Sequence, residues 1–224
     1  MPSRPYRHLD LITALFVTVL IVSNIASTKL IAFLGLPLDG GTILFPLSYI
    51  FGDILTEVYG YQRSRRVIWI GFACLAIMAV TFAVVDLLPP DPAFDAQAAF
   101  SRILGQTPRI VLGSLIAYWA GEFVNSYVLA KIKIRMGGRR LWIRTLGSTL
   151  AGQLVDTAVF LPIAFFGVFP NEVLVSLFIA NYIFKVGTEA IFTPITYQIV
   201  AVLKRAESED YYDRNTDFNP FAIK

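Results

Sequence analysis

The 224-residue sequence contains one cysteine, Cys74, and one histidine, His8. A single cysteine cannot form an intramolecular disulfide, and one thiol plus one imidazole cannot supply the four ligands of a structural zinc site. His8 precedes the first apolar segment, so a catalytic histidine inside a hydrophobic core is excluded. The sequence also lacks a G-x-x-x-x-G-K-[ST] loop for ATP. We therefore expect no cofactor, no metal and no enzymatic activity.

Basic residues are scarce within the long apolar stretches. Of the 19 Lys and Arg, 15 lie in four clusters, at residues 4–7, 63–66, 131–144 and 204–224. The clusters recur at every second gap between apolar stretches, which is the positive-inside pattern of a multi-spanning membrane protein. This pattern predicts that both termini are cytoplasmic. The net charge of +3 is therefore attributed to topology and to contact with the lipid bilayer, and no nucleic-acid partner is expected.

The apolar stretches predict an all-α fold with six transmembrane helices. A spanning helix needs about 20 predominantly apolar residues, and 56% of this chain is hydrophobic. Residues 1–204 are expected to form one transmembrane transporter domain, and residues 205–224 a polar, weakly ordered cytoplasmic tail. A short amphipathic helix is predicted at residues 96–104. The six predicted spans are residues 9–34, 42–59, 67–88, 109–132, 142–169 and 173–203.

Ionisable and amide side chains within the predicted spans are the candidates for function. A charge at the bilayer centre costs about 2.5–3.5 kcal/mol on insertion scales, so these groups should face the interior of the bundle. There they bind a substrate or proton, or they form a structural ion-pair network in which Lys185 pairs with Glu189 or Asp156. The predicted substrate-binding residues are Asn24, Asp53, Glu57, Tyr118, Glu122, Asn125, Gln153, Asp156, Asn181, Lys185 and Glu189.

Two of these acids lie one helical turn apart on the second predicted span. Asp53 and Glu57 share a face with no basic residue beside them, so at least one should take up a proton or find a donor. Asp53 is the deeper of the two. For Glu57 the alternative is an ion pair with Arg63 or Arg65 near the cytoplasmic surface.

A short pattern recurs in the even-numbered predicted spans. It reads Gly52-Asp53, Gly121-Glu122 and Gly187-Thr188-Glu189, and a basic cluster follows each copy. This repeated pattern is consistent with three parallel helical hairpins, since internal repeats are common in transporters. The small residues at 147–152 predict a close contact between helices.

Four segments resemble the queuosine precursor transporters, a branch of the vitamin uptake transporter group. They are FPLSYIFGDILTEVYGYQRSRRVIW (45–69), GEFVNSYVLAKIK (121–133), RTLGSTLAGQLVDTAVF (144–160) and NYIFKVGTEAIFTPITY (181–197). The resemblance implies a six-helix importer in the bacterial inner membrane. It implies 7-cyano-7-deazaguanine and 7-aminomethyl-7-deazaguanine as substrates, salvaged for the queuosine modification of tRNA. Carboxylates, amides and aromatic rings alone would also suit another planar heterocycle, such as a purine, pterin or flavin.

Two other classes of protein were considered. An aspartyl intramembrane protease needs the motif G-x-G-D, but Ile50 occupies the first glycine position before Asp53. The substrate-capture subunit of an energy-coupling vitamin importer is also a six-helix bundle of this size, and it stays an alternative. A homodimer is compatible with either transport role.

Overall fold

The computed structural model describes residues 6–26, 29–33, 36–105, 108–166, 170–214 and 216–221. Across these residues the chain forms a helical bundle with one short hairpin. The hairpin strands are β1 (Leu30–Phe33) and β2 (Leu36–Asp39), followed by a 3-10 turn at Gly40–Ile43. The helices are α1 (Leu9–Ala26), α2 (Phe45–Tyr59), α3 (Tyr61–Leu87), α4 (Gln97–Leu104), α5 (Pro108–Arg135), α6 (Leu141–Phe165) and α7 (Asn171–Glu207).

Four of these helices contain segments long and apolar enough to cross a membrane. They are Leu9–Ala26, Tyr61–Leu87, Leu141–Ile163 and Phe178–Glu207. Helix α2 has only 15 residues and is shorter than the bilayer core requires. Helix α5 has 28 residues, but its central stretch contains Glu122, Asn125 and several small residues and is less apolar than the four spans. The structure therefore supports a multi-spanning helical protein, while the count of six spans and the side on which the termini lie stay predictions.

The first predicted span ends earlier than expected. Helix α1 stops at Ala26, and the following apolar residues form the hairpin, in which Leu30 pairs with Asp39 and Phe33 with Leu36. The all-α fold class is confirmed by the seven helices that the described residues form, whereas the expected helix through residue 34 is wrong. The backbone groups of these residues are satisfied by strand pairing rather than by helical hydrogen bonds. Lys29 consequently lies beyond the helix and is exposed, and it does not face the bundle interior.

Helix α2 can be shorter than the bilayer core because other helices surround it. It packs against α1, α3, α5 and α7, and every residue from Gly52 to Tyr61 is buried. A 15-residue helix can therefore carry polar groups into the middle of the bundle without exposing its ends to lipid.

Helices α5 and α6 approach each other closely at two glycines. A Cβ atom on Gly152 would lie 2.9 Å from the carbonyl oxygen of Gly121 and 2.8 Å from Cβ of Asn125. No larger residue fits there unless the backbones move apart. The predicted small-residue contact at residues 147–152 is thus confirmed at Gly152.

The start of α1 and the end of α7 meet at one end of the bundle. The backbone N–H groups of Arg7 and His8 donate to the Glu207 carboxylate at 2.9 and 2.7 Å. We call this the basic end, because Lys133, Arg144 and Lys204 also lie there. These two helix ends are therefore on the same side of the bundle.

The segment after α7 folds back along α3, although its composition predicts a weakly ordered tail. Its backbone carbonyls accept hydrogen bonds from three side chains spaced four residues apart on one face of α3. Irregular backbone at the edge of a membrane needs such partners. The donors and acceptors are Tyr61 Oη to Phe218 O at 3.1 Å, Arg65 Nη1 to Asn219 O at 2.5 Å, and Trp69 Nε1 to Pro220 O at 2.8 Å.

Candidate functional site

The middle of the bundle contains a group of buried acidic and amide side chains and one half-buried lysine, contributed by four helices. We call it the central cluster. Helix α2 supplies one member, α5 two, α6 one and α7 two. All six were predicted from the sequence as binding residues, although they are spread over more than half of the chain. The central cluster comprises Asp53, Glu122, Asn125, Asp156, Lys185 and Glu189.

Asp53 is held by an amide and faces another acid. Its Oδ1 accepts a hydrogen bond from Asn125 Nδ2 at 2.9 Å, and Ser148 Oγ lies 3.5 Å away. Its Oδ2 accepts no hydrogen bond from the part of the chain that the structure describes. The carboxyl group of Glu189 on α7 lies against Asp53, and both Glu189 oxygens likewise lack a donor among the described residues.

Glu122 is fully buried, with 0% of its surface exposed. Neither of its oxygens has a donor in hydrogen-bonding geometry within the described ranges. Ser126 faces Glu122 one turn further along α5, but its hydroxyl lies 3.1 Å from Thr56 Oγ1 and 3.2 Å from Ser64 Oγ. A buried carboxylate without a donor is costly, so Glu122 is suited to bind a ligand or a proton.

Two glycines, Gly52 before Asp53 and Gly121 before Glu122, lie at close contacts between the helices that carry the acids of the central cluster. A Cβ atom on Gly52 would lie 1.7 Å from Glu122 Oε1, so a larger residue there would displace the Glu122 carboxylate from its position beside α2. At Gly121 the close contact is with α6, because its Cβ would lie 2.8 Å from Cβ of Asp156. In the Gly-acid pattern seen in the sequence, Gly52 therefore positions the Glu122 carboxylate, and Gly121 is a packing requirement between α5 and α6. Around Gly187 there is open space.

Asp156 is the one acid of the central cluster with a cationic partner in the described part of the chain. Lys185 Nζ donates to Asp156 Oδ2 at 2.5 Å, so of the two pairings predicted for Lys185 the structure forms this one. Asp53, Glu122 and Glu189 form no ion pair within the described residues. The structural-network alternative therefore accounts for Asp156 and leaves the other three acids unexplained.

Two tyrosines line the central cluster. The rings of Tyr49 and Tyr118 are 6.3 Å apart and nearly perpendicular, and Phe16 lies 6.4 Å from Tyr118 on the other side. Tyr118 also lies near Glu122 and Asp156. The predicted residue Tyr118 thus supplies an aromatic wall next to the acids, where a planar ligand could pack.

Helix α6 presents a polar stripe that the sequence analysis recognised only in part. Gln153 is buried, and its Oε1 has no donor among the described residues. Thr149 and Thr157 lie one turn before and after it, are equally buried, and their hydroxyl oxygens also lack partners there. Both threonines were missed. Their spacing of four residues around Gln153 is the signal that could have identified them.

The two predicted asparagines outside the central cluster lie elsewhere on their helices. Asn24 Nδ2 donates to Leu20 O at 3.0 Å, and its side chain lines a separate cavity of about 270 Å³. Leu75 of α3 and Leu115 of α5 line the same cavity. Asn181 lies one turn before Lys185 on α7 and is half-buried.

Glu57 lies at the basic end, where cations surround it. Lys204 Nζ is 2.6 Å from Glu57 Oε1, Lys133 Nζ donates to the Glu57 carbonyl at 2.6 Å, and Arg144 donates to Oε2. Asp210 lies 2.8 Å from both lysines. We call these five residues the Glu57 network. It joins α2, α5, α6, α7 and the segment after α7.

The cationic partners proposed for Glu57 from the sequence were wrong. Arg63 Nη1 donates to the Tyr59 carbonyl at 2.8 Å, and Arg65 binds the carbonyls of Asp217 and Asn219. These arginines turn toward the chain termini because α3 begins immediately after α2 and carries them away from Glu57. Tertiary packing then supplies cations from helices distant in sequence.

Comparison with known proteins shows the family to which the chain belongs. The model of a family described as putative vitamin uptake transporter matches residues 39–199. The "Probable queuosine precursor transporter" of Bacillus subtilis is 32% identical over 178 residues, covering 79% of this chain and 78% of that protein. The "Queuosine precursor transporter" of Escherichia coli is 24% identical over 208 residues, covering 91% of each. No solved structure matches the chain.

Proposed function

The chain belongs to the putative vitamin uptake transporter family, and from that premise we propose that it imports queuosine precursors across the bacterial inner membrane. The proposed cargo is a 7-deazaguanine base, either 7-cyano-7-deazaguanine or 7-aminomethyl-7-deazaguanine. Support comes from relatives in two organisms that are named queuosine precursor transporters.

The observation that carries the proposal is the buried Glu122 carboxylate, which has no donor among the described residues. A 7-deazaguanine base presents a ring N–H and an exocyclic amine on one edge, and a carboxylate can accept from both. Its lactam oxygen needs a donor, which the amide of Gln153 or the Lys185 ammonium can provide. Tyr118 would pack against the plane of the base.

We propose that the substrate reaches the central cluster along α5. The cavity of about 270 Å³ beside Asn24 also includes Leu112 and Leu115. Tyr118 and then Glu122 follow at intervals of one turn on α5. We propose that a base enters through this cavity from the end opposite the basic end, passes Tyr118 and reaches Glu122.

The basic end is the proposed cytoplasmic end, as its basic residues favour. The Glu57 network closes this end by joining four helices and the segment after α7. Release of the base into the cytoplasm would require these helices to separate, as in the rocking motions of other transporters. Glu57 is therefore proposed to act in this closure, since its carboxylate is already occupied by cations.

Uptake by the purified protein in liposomes tests the proposal. We expect vesicles containing the protein alone to accumulate both bases, measured by mass spectrometry of the vesicle contents. Guanine, a pterin and a flavin serve as competitors. Uptake by protein alone would also rule against a capture subunit that needs partners. If neither base enters faster than in protein-free vesicles, the proposal is wrong.

The matched variants are Glu122→Gln and Asp95→Asn. Glu122→Gln removes the charge that strengthens the hydrogen bonds to the base, which are worth about 1.5–3 kcal/mol each. This corresponds to a loss of affinity of about tenfold or more. Asp95 is exposed between α3 and α4, so its substitution should leave uptake unchanged.

A further inference from the structure

The central cluster carries more carboxyl groups than its cation can balance. Lys185 neutralises Asp156 at 2.5 Å, which leaves Asp53, Glu122 and Glu189. The other titratable groups that face them are Tyr49 and Glu57 from α2, Tyr118 from α5, and Asp156 from α6. No further cation approaches these three acids within the described ranges.

Asp53 and Glu189 are placed to share a proton. Their carboxyl groups lie against each other across the contact between α2 and α7, and three of their four oxygens have no donor in the described part of the chain. A protonated carboxyl group is a donor, and an ionised one accepts. One proton would therefore convert two repelling carboxylates into a hydrogen-bonded pair.

Asn125 supports this arrangement from α5. Its Nδ2 fixes Asp53 Oδ1 at 2.9 Å, while its own Oδ1, in a side chain with 0% exposure, has no donor among the described residues. An amide oxygen directed into an acidic group can accept only from an added O–H or N–H. This buried acceptor is a second, independent indication that the site takes up a hydrogen-bearing ligand.

We propose that the Asp53–Glu189 pair is a proton-binding site and that the chain is a symporter of protons and 7-deazaguanine bases. This inference rests on the proposed function. A proton from outside the cell forms an O–H bond with one carboxylate of the pair while the base binds at Glu122. When the bundle opens at the basic end, that bond breaks and the proton leaves with the base. The carboxylate is restored, and one proton and one base have moved in the same direction.

A proton suits the pair better than a metal ion does. No group of three or more His, Cys, Asp or Glu side chains in the described part of the chain is arranged to hold a metal. A proton requires only the two carboxyl groups as partners.

The decisive measurement is steady-state accumulation in proteoliposomes that contain the purified full chain. With one proton per base, a gradient of one pH unit, acidic outside, should concentrate the base about tenfold inside. A pH indicator trapped in the vesicles should report acidification when the base is added without a gradient. The same accumulation driven by a sodium gradient at equal pH would overturn the inference in favour of sodium.

The failures of the two proposals are distinguishable in this assay. Uptake of the base that stops at equal concentrations, with no change of interior pH, overturns proton coupling and leaves the proposed function standing. An absence of uptake under every gradient overturns both.

The variants Asp53→Asn and Glu189→Gln test the pair itself. Each should reduce accumulation on the pH gradient to equal concentrations, whatever its rate of base exchange. The introduced amide N–H would donate to the remaining carboxylate and keep it ionised, so the pair would no longer take up a proton. Glu189→Asp keeps a carboxyl group, so this variant should still accumulate the base to a higher concentration inside the vesicles than outside. A purely structural role of Glu189 would not predict this result. Asp95→Asn is the matched control. Accumulation of about tenfold by both amide variants would overturn the assignment to this pair.

Discussion

Substitution of Glu57 by glutamine should destabilise the folded protein strongly, because Glu57 is the anion at the centre of the Glu57 network. Arg144 and Lys133 are almost fully buried, with 2% and 1% of their side-chain surfaces exposed. After the change Lys133 and Lys204 would still contact Asp210 at 2.8 Å. Arg144 would keep only neutral acceptors such as Gly138 O, at 3.0 Å.

The magnitude follows from the burial of Arg144. Removing one partner of a buried ion pair leaves an uncompensated charge and costs about 3–5 kcal/mol. We expect Glu57→Gln to lose that amount in free energy of unfolding. The double variant Glu57→Gln, Arg144→Gln removes both charges and should lose less than the sum of the two single variants, by about 0.5–3 kcal/mol.

The assay is reversible unfolding of the purified protein in mixed micelles, followed by helical circular dichroism. Asp95→Asn is the control, because an exposed substitution away from any network changes stability by about 0.5 kcal/mol or less. A loss below about 1 kcal/mol for Glu57→Gln would show that the network behaves like a surface ion pair, and the reasoning would be refuted. Additive losses in the double variant would equally contradict a direct Glu57–Arg144 interaction.

Three further substitutions test three different features: the packing of α5 against α6, the position of the Glu122 carboxylate, and the attachment of the segment after α7. Gly152→Ala places a Cβ 2.9 Å from Gly121 O and should cost about 1–3 kcal/mol in the same unfolding assay, because backbone must move. Gly52→Ala meets the movable Glu122 carboxylate at 1.7 Å, so it should reduce uptake about tenfold or more with a smaller loss of stability; the reverse order would contradict the packing argument. Burial favours a higher pKa for Asp210, but hydrogen bonds from the neighbouring lysines outweigh it and hold the pKa below 3.8. Asp210→Asn should therefore loosen this segment and speed trypsin cleavage after Arg214, and an unchanged cleavage rate would show that the ion pairs do not hold it.

The central cluster could be predicted because lipid makes intramembrane charge costly. Asp53, Glu122, Asp156 and Glu189 come from four helices, and no local pattern joins them. The cost of leaving each in lipid still requires a shared interior location, which the structure confirms. The pairing of Lys185 with Asp156 was one of two possibilities from the sequence, since both acids were within reach of a long side chain, and packing between α6 and α7 decides it.

Features that depend on contacts between distant segments could not be read from the sequence. Arg144 is 87 residues from Glu57 in the chain, and nothing local favours it over Arg63. The segment after α7 has the composition of a loose tail, but Tyr61 and Trp69 supply donors that become aligned only when α3 is formed. The hairpin after α1 shows the converse error, since the apolar run through residue 34 was interpreted as a continuous helix although it ends in a strand.

Two fully buried carboxylates of the bundle, Glu57 and Glu122, have opposite environments. Glu57 has three cations and all of its charge is balanced within the fold, so a ligand would gain little by approaching it. Glu122 is equally buried but has no donor in the described part of the chain, so folding alone leaves its desolvation uncompensated. Such a group persists in a stable bundle only if something outside the chain, a proton or the N–H edge of a base, completes its bonding during part of the cycle. Substitution of Glu57 should therefore affect stability first and Glu122 transport first, and the opposite result would place the site at the basic end.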